Sequence, residues 1–280
     1  MNNRTITKIG GLLKKIVDIT ADILIPKENR VKLLERLGPD GLFENIPRSE
    51  NFDLPTQAGF DTTKIKAIFN YKTILCRQAI WEIKYRANNK LIRDFSLLLY
   101  EFILDELSDL VTFDNFKKPI LIPIPSSKSR TREKGFNQCI LITRELIKID
   151  KERKGNNFTS LENFLIKKVD TPHQARVSNR KKRLENLKNT FSINECSGPV
   201  TQNNSLRLTR TNHSESFLSN GSLRNLNNSA EFPPIGPVKI SEYSFIIIDD
   251  VITTGATMHE AFRVLKSAGI KKIRGFALAH

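Results

Sequence analysis

Residues 245–257 read FIIIDDVITTGAT. Phe245 to Ile248 form an apolar run, the pattern of a buried strand. Two carboxylates, Asp249 and Asp250, follow at once, and after them the small residues Thr253, Thr254, Gly255, Ala256 and Thr257. A helical pattern runs from Thr257 to Ala268. Gly269 stands where a helix end favours positive φ, and Lys272 to Leu278 suits a further strand. In an open parallel sheet, ligands bind beyond the carboxyl ends of the strands, which is where the two aspartates fall.

The turn 253–257 opens a helix. It offers backbone N–H groups, hydroxyls and a favourable dipole, so it suits an anion such as phosphate. The carboxylates would repel that anion. They need hydrogen-bond donors or positive charge, such as the vicinal hydroxyls of a ribose or a magnesium ion. Together the two halves describe a ribose 5-phosphate unit. The competing reading is a strand and a capped helix with acidic residues in a solvated loop.

Outward from this stretch, PILIPIP (119–125) contains a second strand, Ile120 to Ile124, ended by prolines. Helical patterns are expected over 64–85, 91–110 and 135–149, and LENFLIKKV (161–169) suits a strand. Strands alternating with helices, and reading as continuous apolar runs, imply an α/β fold: an open parallel sheet with helices on both faces. Residues 6–24 carry apolar positions at helical spacing. This amphipathic helix suits docking on the protein's own core, with a membrane surface or a partner as alternatives. Residues 26–63 are punctuated by Pro and Gly, so irregular structure is expected there. Residues 196–239 are rich in Asn and Ser, poor in charge and closed by prolines, which reads as a disordered insertion. The organisation expected is a helical and irregular region over 1–65, a core over 66–195 and 240–280, and the insertion over 196–239.

The chain of 280 residues has 39% hydrophobic and 27% charged residues, enough for a sizeable core without metal or disulfides. Its net charge of +15 favours polyanionic partners, although a solubilising surface would carry the same sign. Cys76, Cys139 and Cys196 are scattered, so no Cys-x-x-Cys zinc pattern exists and reduced thiols are expected. Charges at Lys14, Lys15, Asp18 and Asp22 argue against a secretory signal, and no apolar run approaches a membrane span. A cytoplasmic protein is expected.

FIIIDDVITTGAT resembles the phosphoribosyl pyrophosphate-binding signature of the type I phosphoribosyltransferases. That resemblance implies that Asp249 and Asp250 hold ribose hydroxyls and that Thr253 to Thr257 cradle the 5-phosphate. Magnesium would then bind mostly through ligand and water oxygens near Asp249 and Asp250. PIPSSKSRTREKGFNQ (123–138) has Arg130, Arg132 and Lys134 before Gly135, a second anion site by charge. It resembles the ComF-type proteins, with Lys134 where arginine is usual; the charge stays but the bidentate fork is lost. TPHQARVSNRKKRLENLKNTF (171–191) and KYRANNKLI (84–92) resemble the same family, the latter with Ala87 in place of a glycine.

By that resemblance a mobile loop would bring Arg176, Arg180 and Arg183 over a leaving pyrophosphate. The candidate catalytic residues are Asp249, Asp250, Lys134 and Arg180. The candidate ligand-binding residues are Thr253, Thr254, Gly255, Ala256, Thr257, Arg130, Arg132 and Gly135. The family's zinc-binding cysteines have no counterpart here, so no zinc is expected. Enzymes resembling the hypoxanthine type carry an aspartate at the position of Thr253, which speaks against purine salvage by that route. Two functions follow: a phosphoribosyl transfer linked to DNA uptake, or a non-catalytic module that senses nucleotides or binds single-stranded DNA. Few aromatics interleave with the basic runs, so a base-stacking platform is not evident in the sequence.

Overall fold

A computed structural model describes residues 27–49, 61–117, 119–168, 189–194, 200–201, 205–206, 238–239 and 243–280. The core is a five-stranded, all-parallel sheet in the order β1-β10-β9-β2-β3. These strands are β1 (Ile65–Phe69), β2 (Pro119–Pro123), β3 (Thr159–Ser160), β9 (Ser244–Val251) and β10 (Ile273–Ala279). The quoted stretch supplies β9, the central strand, hydrogen-bonded on both sides: Ile247 lies opposite Gly275 on one side and Ile122 on the other. Both faces are covered, so the expected parallel sheet with helices on both faces is present, consistent with a phosphoribosyltransferase-like fold.

Alternation along β9 decides the two layers. Ile246 and Ile248 pack in one cluster with residues of α1 (Lys27–Asn45), α2 (Ile74–Arg86), α3 (Asn89–Asp114) and α5 (Gln138–Glu152). Phe245 and Ile247 pack in the other with Met258, Phe262 and Leu265 of α6 (Ala256–Ser267). All four side chains are 0–1% exposed. Each contributes roughly 1.5–3 kcal/mol of burial. That gross gain offsets the several kcal/mol of desolvation that each neighbouring carboxylate costs.

Four expectations for local structure change. Residues 65–69 form strand β1, not the start of a helix. The run IKAIF is too short for periodicity to separate the two, and its β-branched and aromatic residues fit the sheet edge beside β10. Residues 27–45 are helical rather than irregular, with a kink at Gly38 (φ 64°) before Pro39, so these residues bend a helix that buries Leu34 and Leu42. The helix expected over 135–149 is α5, starting at Gln138, and a separate short helix, α4 (Lys128–Lys134), forms in the basic stretch before it. Gly135 (φ 80°) closes α4 instead of opening α5, whose cap is Asn137. Finally, the described part of 161–169 contributes β4 (Leu165–Lys167). It pairs antiparallel with β5 (Phe191–Ile193) in a ribbon outside the main sheet.

Three two-residue strands in the Asn/Ser-rich stretch, β6 (Val200–Thr201), β7 (Ser205–Leu206) and β8 (Val238–Lys239), pair antiparallel. The amphipathic pattern over 6–24 and the basic stretch with Arg176, Arg180 and Arg183 lie outside the described residues.

Candidate functional site

The carboxyl ends of β2 and β9 open into a cleft of about 650 Å³. One wall is contiguous in sequence. Asp249 and Asp250 sit inside β9, 6% and 3% exposed, and Val251 ends the strand. Thr253, Thr254, Gly255, Ala256 and Thr257 line the same cleft. Gly255 takes φ 73°, a left-handed conformation that a side chain disfavours, and it caps α6. The Thr254 hydroxyl accepts from the Ala256 N–H at 3.4 Å. The α6 N-terminus therefore faces the cleft behind small residues.

The opposite wall comes from α2, α4 and α5. Lys84 Nζ lies 3.1 Å from Asp250 Oδ2. Gln138 Nε2 donates to the same oxygen at 3.2 Å. Arg130 and Lys134 line the cleft, and Nη2 of Arg130 is buried with no hydrogen-bond partner among the described residues. Lys134 donates to the carbonyl of Lys84 at 3.1 Å and sits 4.3 Å from the centre of the Tyr85 ring, so it also holds the end of α2. Asn137 locks this wall to the sheet: its Nδ2 donates to the Ile124 carbonyl at 2.9 Å, and its Oδ1 accepts from the Cys139 N–H at 3.0 Å.

The two carboxylates differ in charge preference. Burial raises the Asp249 carboxyl well above the ordinary carboxylate range, and the neighbouring Asp250 charge adds to the rise. Burial acts on Asp250 in the same direction. There the Lys84 ammonium, and hydrogen bonds from Asp249, Lys84 and the Val251 N–H, outweigh it and hold Asp250 below the ordinary value. Asp250 in turn raises Lys84, while burial and the Lys84 charge lower Lys134. The result is one fixed anion, one carboxyl that favours its proton, and cations converging from across the cleft.

Ligand atoms of Cys139, Asp249 and Asp250 lie within 4.8 Å of one another. This set does not suit a hard divalent ion on its own. A thiol is a poor partner for magnesium, and one Asp250 oxygen is already engaged. The carboxylates can still touch such an ion through a ligand or water.

Of the residues singled out in the sequence, Asp249, Asp250, Thr253–Thr257, Arg130 and Lys134 meet in this cleft. Arg132 and Gly135 are exposed and do not line it, because they fall on the outer turn of α4 and at its end. Arg180 lies outside the described residues. Sequence reasoning missed Lys84 and Gln138 as site residues. Both sit in stretches that had been singled out, KYRANNKLI and GFNQ, but their contact with Asp250 spans 166 and 112 positions and no local pattern announces it.

No family model matches the chain. It is similar to "Competence protein F" of Haemophilus influenzae (strain ATCC 51907 / DSM 11121 / KW20 / Rd), 26% identical over 160 residues, which covers 57% of this chain and 49% of that relative. This likeness supports a ComF-family assignment. The chain spans about half the length of that curated relative. Ala87 caps α2 at φ 48°, the left-handed region where a glycine would carry no strain. No helix among the described residues is long and apolar enough to cross a membrane.

Proposed function

We propose that this cleft binds phosphoribosyl pyrophosphate, or a related ribose 5-phosphate ligand, and transfers the phosphoribosyl group with release of pyrophosphate. One observation carries the proposal: the buried Asp249–Asp250 pair and the glycine-capped turn 253–257 share one cleft with Arg130, whose Nη2 is unpaired among the described residues. The turn would take the 5-phosphate and the carboxylates the ribose diol. Because Lys84 now occupies Asp250, the diol would displace its ammonium toward the pyrophosphate, where Arg130 and Lys134 also lie.

Attack on the anomeric carbon passes through a cationic, oxocarbenium-like state. The chain's contribution would be positioning, stabilisation of that cation by Asp250, and neutralisation of the departing charge by the opposite wall. Magnesium, when bound, would supply further charge on the pyrophosphate and ribose oxygens. The likeness to a competence protein favours a role connected with DNA uptake. The net charge of +15 favours a second reading, an accessory that senses nucleotides in the same cleft while its basic surface binds single-stranded DNA.

Magnesium-dependent pyrophosphate release from phosphoribosyl pyrophosphate, measured across a panel of bases with the native chain and Asp250→Asn, separates the readings. Release with one base that vanishes in the variant supports transfer. No turnover with any base, together with salt-sensitive DNA binding that survives the substitution, sinks it.

A further inference from the structure

Trp81 and Tyr85 stand one turn apart on α2 and both line the cleft, next to the Lys84 that reaches Asp250. They are 42% and 40% exposed, unlike the buried Ile80 and Ile83 on the same helix. Their ring centres are 5.5 Å apart at 38°. Cations flank the pair, with the Arg86 guanidinium 5.2 Å from the Trp81 ring and the Lys134 ammonium 4.3 Å from the Tyr85 ring. A helix that packs on the core has no packing reason to turn two large aromatic rings outward. Here they form an aromatic ledge at the rim of a cleft whose floor is acidic and whose far end is a phosphate-type turn.

We infer that this ledge is the seat of a planar nitrogenous base. It is a stacking surface for the base of a mononucleotide whose ribose lies on Asp249 and Asp250. The inference rests on the ribose 5-phosphate reading of the cleft and deepens it. Lys84 links the two parts. Its side chain runs from the helix that carries the ledge to Asp250, and the ledge and both carboxylates line the same cleft. Stacking needs only a π-face, so the ledge accepts purines and pyrimidines alike. The flanking cations strengthen it by polarising the rings and by meeting carbonyl groups on a base. The sequence concealed the ledge: Trp81 falls within an apolar helical pattern that suggests core, and the basic residues around it come from two separate helices.

Trp81 is the chain's single tryptophan, so its fluorescence reports the ledge directly. Titrations of the full chain with AMP, UMP, ribose 5-phosphate and an oligothymidylate, read by Trp81 emission and by calorimetry, test the inference. AMP and UMP should quench Trp81 and bind about tenfold tighter than ribose 5-phosphate, which should bind without quenching. Trp81→Ala should remove that tenfold advantage and leave ribose 5-phosphate affinity unchanged, and Trp81→Phe should restore most of it. If ribose 5-phosphate binds but nucleotides gain nothing over it, or Trp81→Ala leaves their affinity intact, the ledge does not seat a base. If only the oligothymidylate quenches, the ledge serves single-stranded DNA and the mononucleotide inference falls. If ribose 5-phosphate itself does not bind, the reading of the cleft fails and the inference falls with it.

Discussion

On one side of the cleft, Asp249, Asp250 and the turn 253–257 come from consecutive residues at the end of the central strand. On the other, Lys84, Arg130 and Lys134 come from two helices, and Lys134 reaches the Lys84 carbonyl across 50 positions. The acidic wall is fixed by β9, with strands on both sides and seven of its eight residues buried. The cationic wall is fixed by a few polar contacts: the Lys84–Asp250 pair, the Lys134 contact and the Asn137 clamp. The first wall is therefore a rigid template. The second is the side that can rearrange when a ligand enters.

The largest expected effect comes from the template. Asp250→Asn keeps the shape and removes the charge. It should weaken ribose 5-phosphate binding about a hundredfold, the loss of one or two charge-assisted bonds at roughly 1.5–3 kcal/mol each. Inorganic phosphate, held only by the turn, should bind the variant as it binds the native chain. Equal losses for both ligands, measured by calorimetry, would erase the division of labour between carboxylates and turn.

Breaking the contact between the walls comes next. Lys84→Ala leaves Asp250 buried without its cation. Because Lys84 is 31% exposed, the penalty is about 2 kcal/mol and not the 3–5 of a fully buried pair. Urea unfolding at pH 7 reads it directly, and a value near zero would mean the pair is incidental. Both linkage signs point to the same window. Asp250 is depressed in the fold, so its contribution is present above the ordinary carboxylate value of 3.8 and is lost as pH falls below it. Lys84 is raised, so its contribution persists up to the ordinary lysine value of 10.5 and is lost above it.

Asp249 behaves oppositely and sharpens the comparison within one wall. Its folded-state pKa is raised, so the native chain holds that proton to higher pH than the unfolded chain. Stability therefore falls as pH rises above about 4. Asp249→Asn should flatten that fall in melting temperature between acid and neutral pH and leave the unliganded protein more stable at neutral pH. A steeper fall in the variant would contradict the assigned direction. The smallest effect belongs to the helix that carries Lys84. Ala87→Gly relieves the left-handed cap and should add about 0.5–1 kcal/mol.

The same contrast explains what the sequence disclosed. β9, its carboxylates, the turn and α6 follow from local pattern, because the chemistry sits within thirteen consecutive residues. The parallel sheet followed from apolar runs alternating with helices. Lys84, Gln138 and the Trp81–Tyr85 ledge did not follow, because each acquires its meaning from a contact more than a hundred positions away or from which face of a helix the core leaves free. β1 escaped for a different reason: five residues of IKAIF carry too few periods to tell strand from helix. Arg132 misled because charge in a loop does not say which way a helix turn will point it.

A structure of the chain bound to ribose 5-phosphate tests the central claim most directly. The account predicts both ribose hydroxyls within about 3 Å of the Asp249 and Asp250 carboxylates, the phosphate against the N–H groups of 254–257, and Lys84 turned off Asp250. A phosphate seated on Arg130, with the diol away from β9, would contradict it.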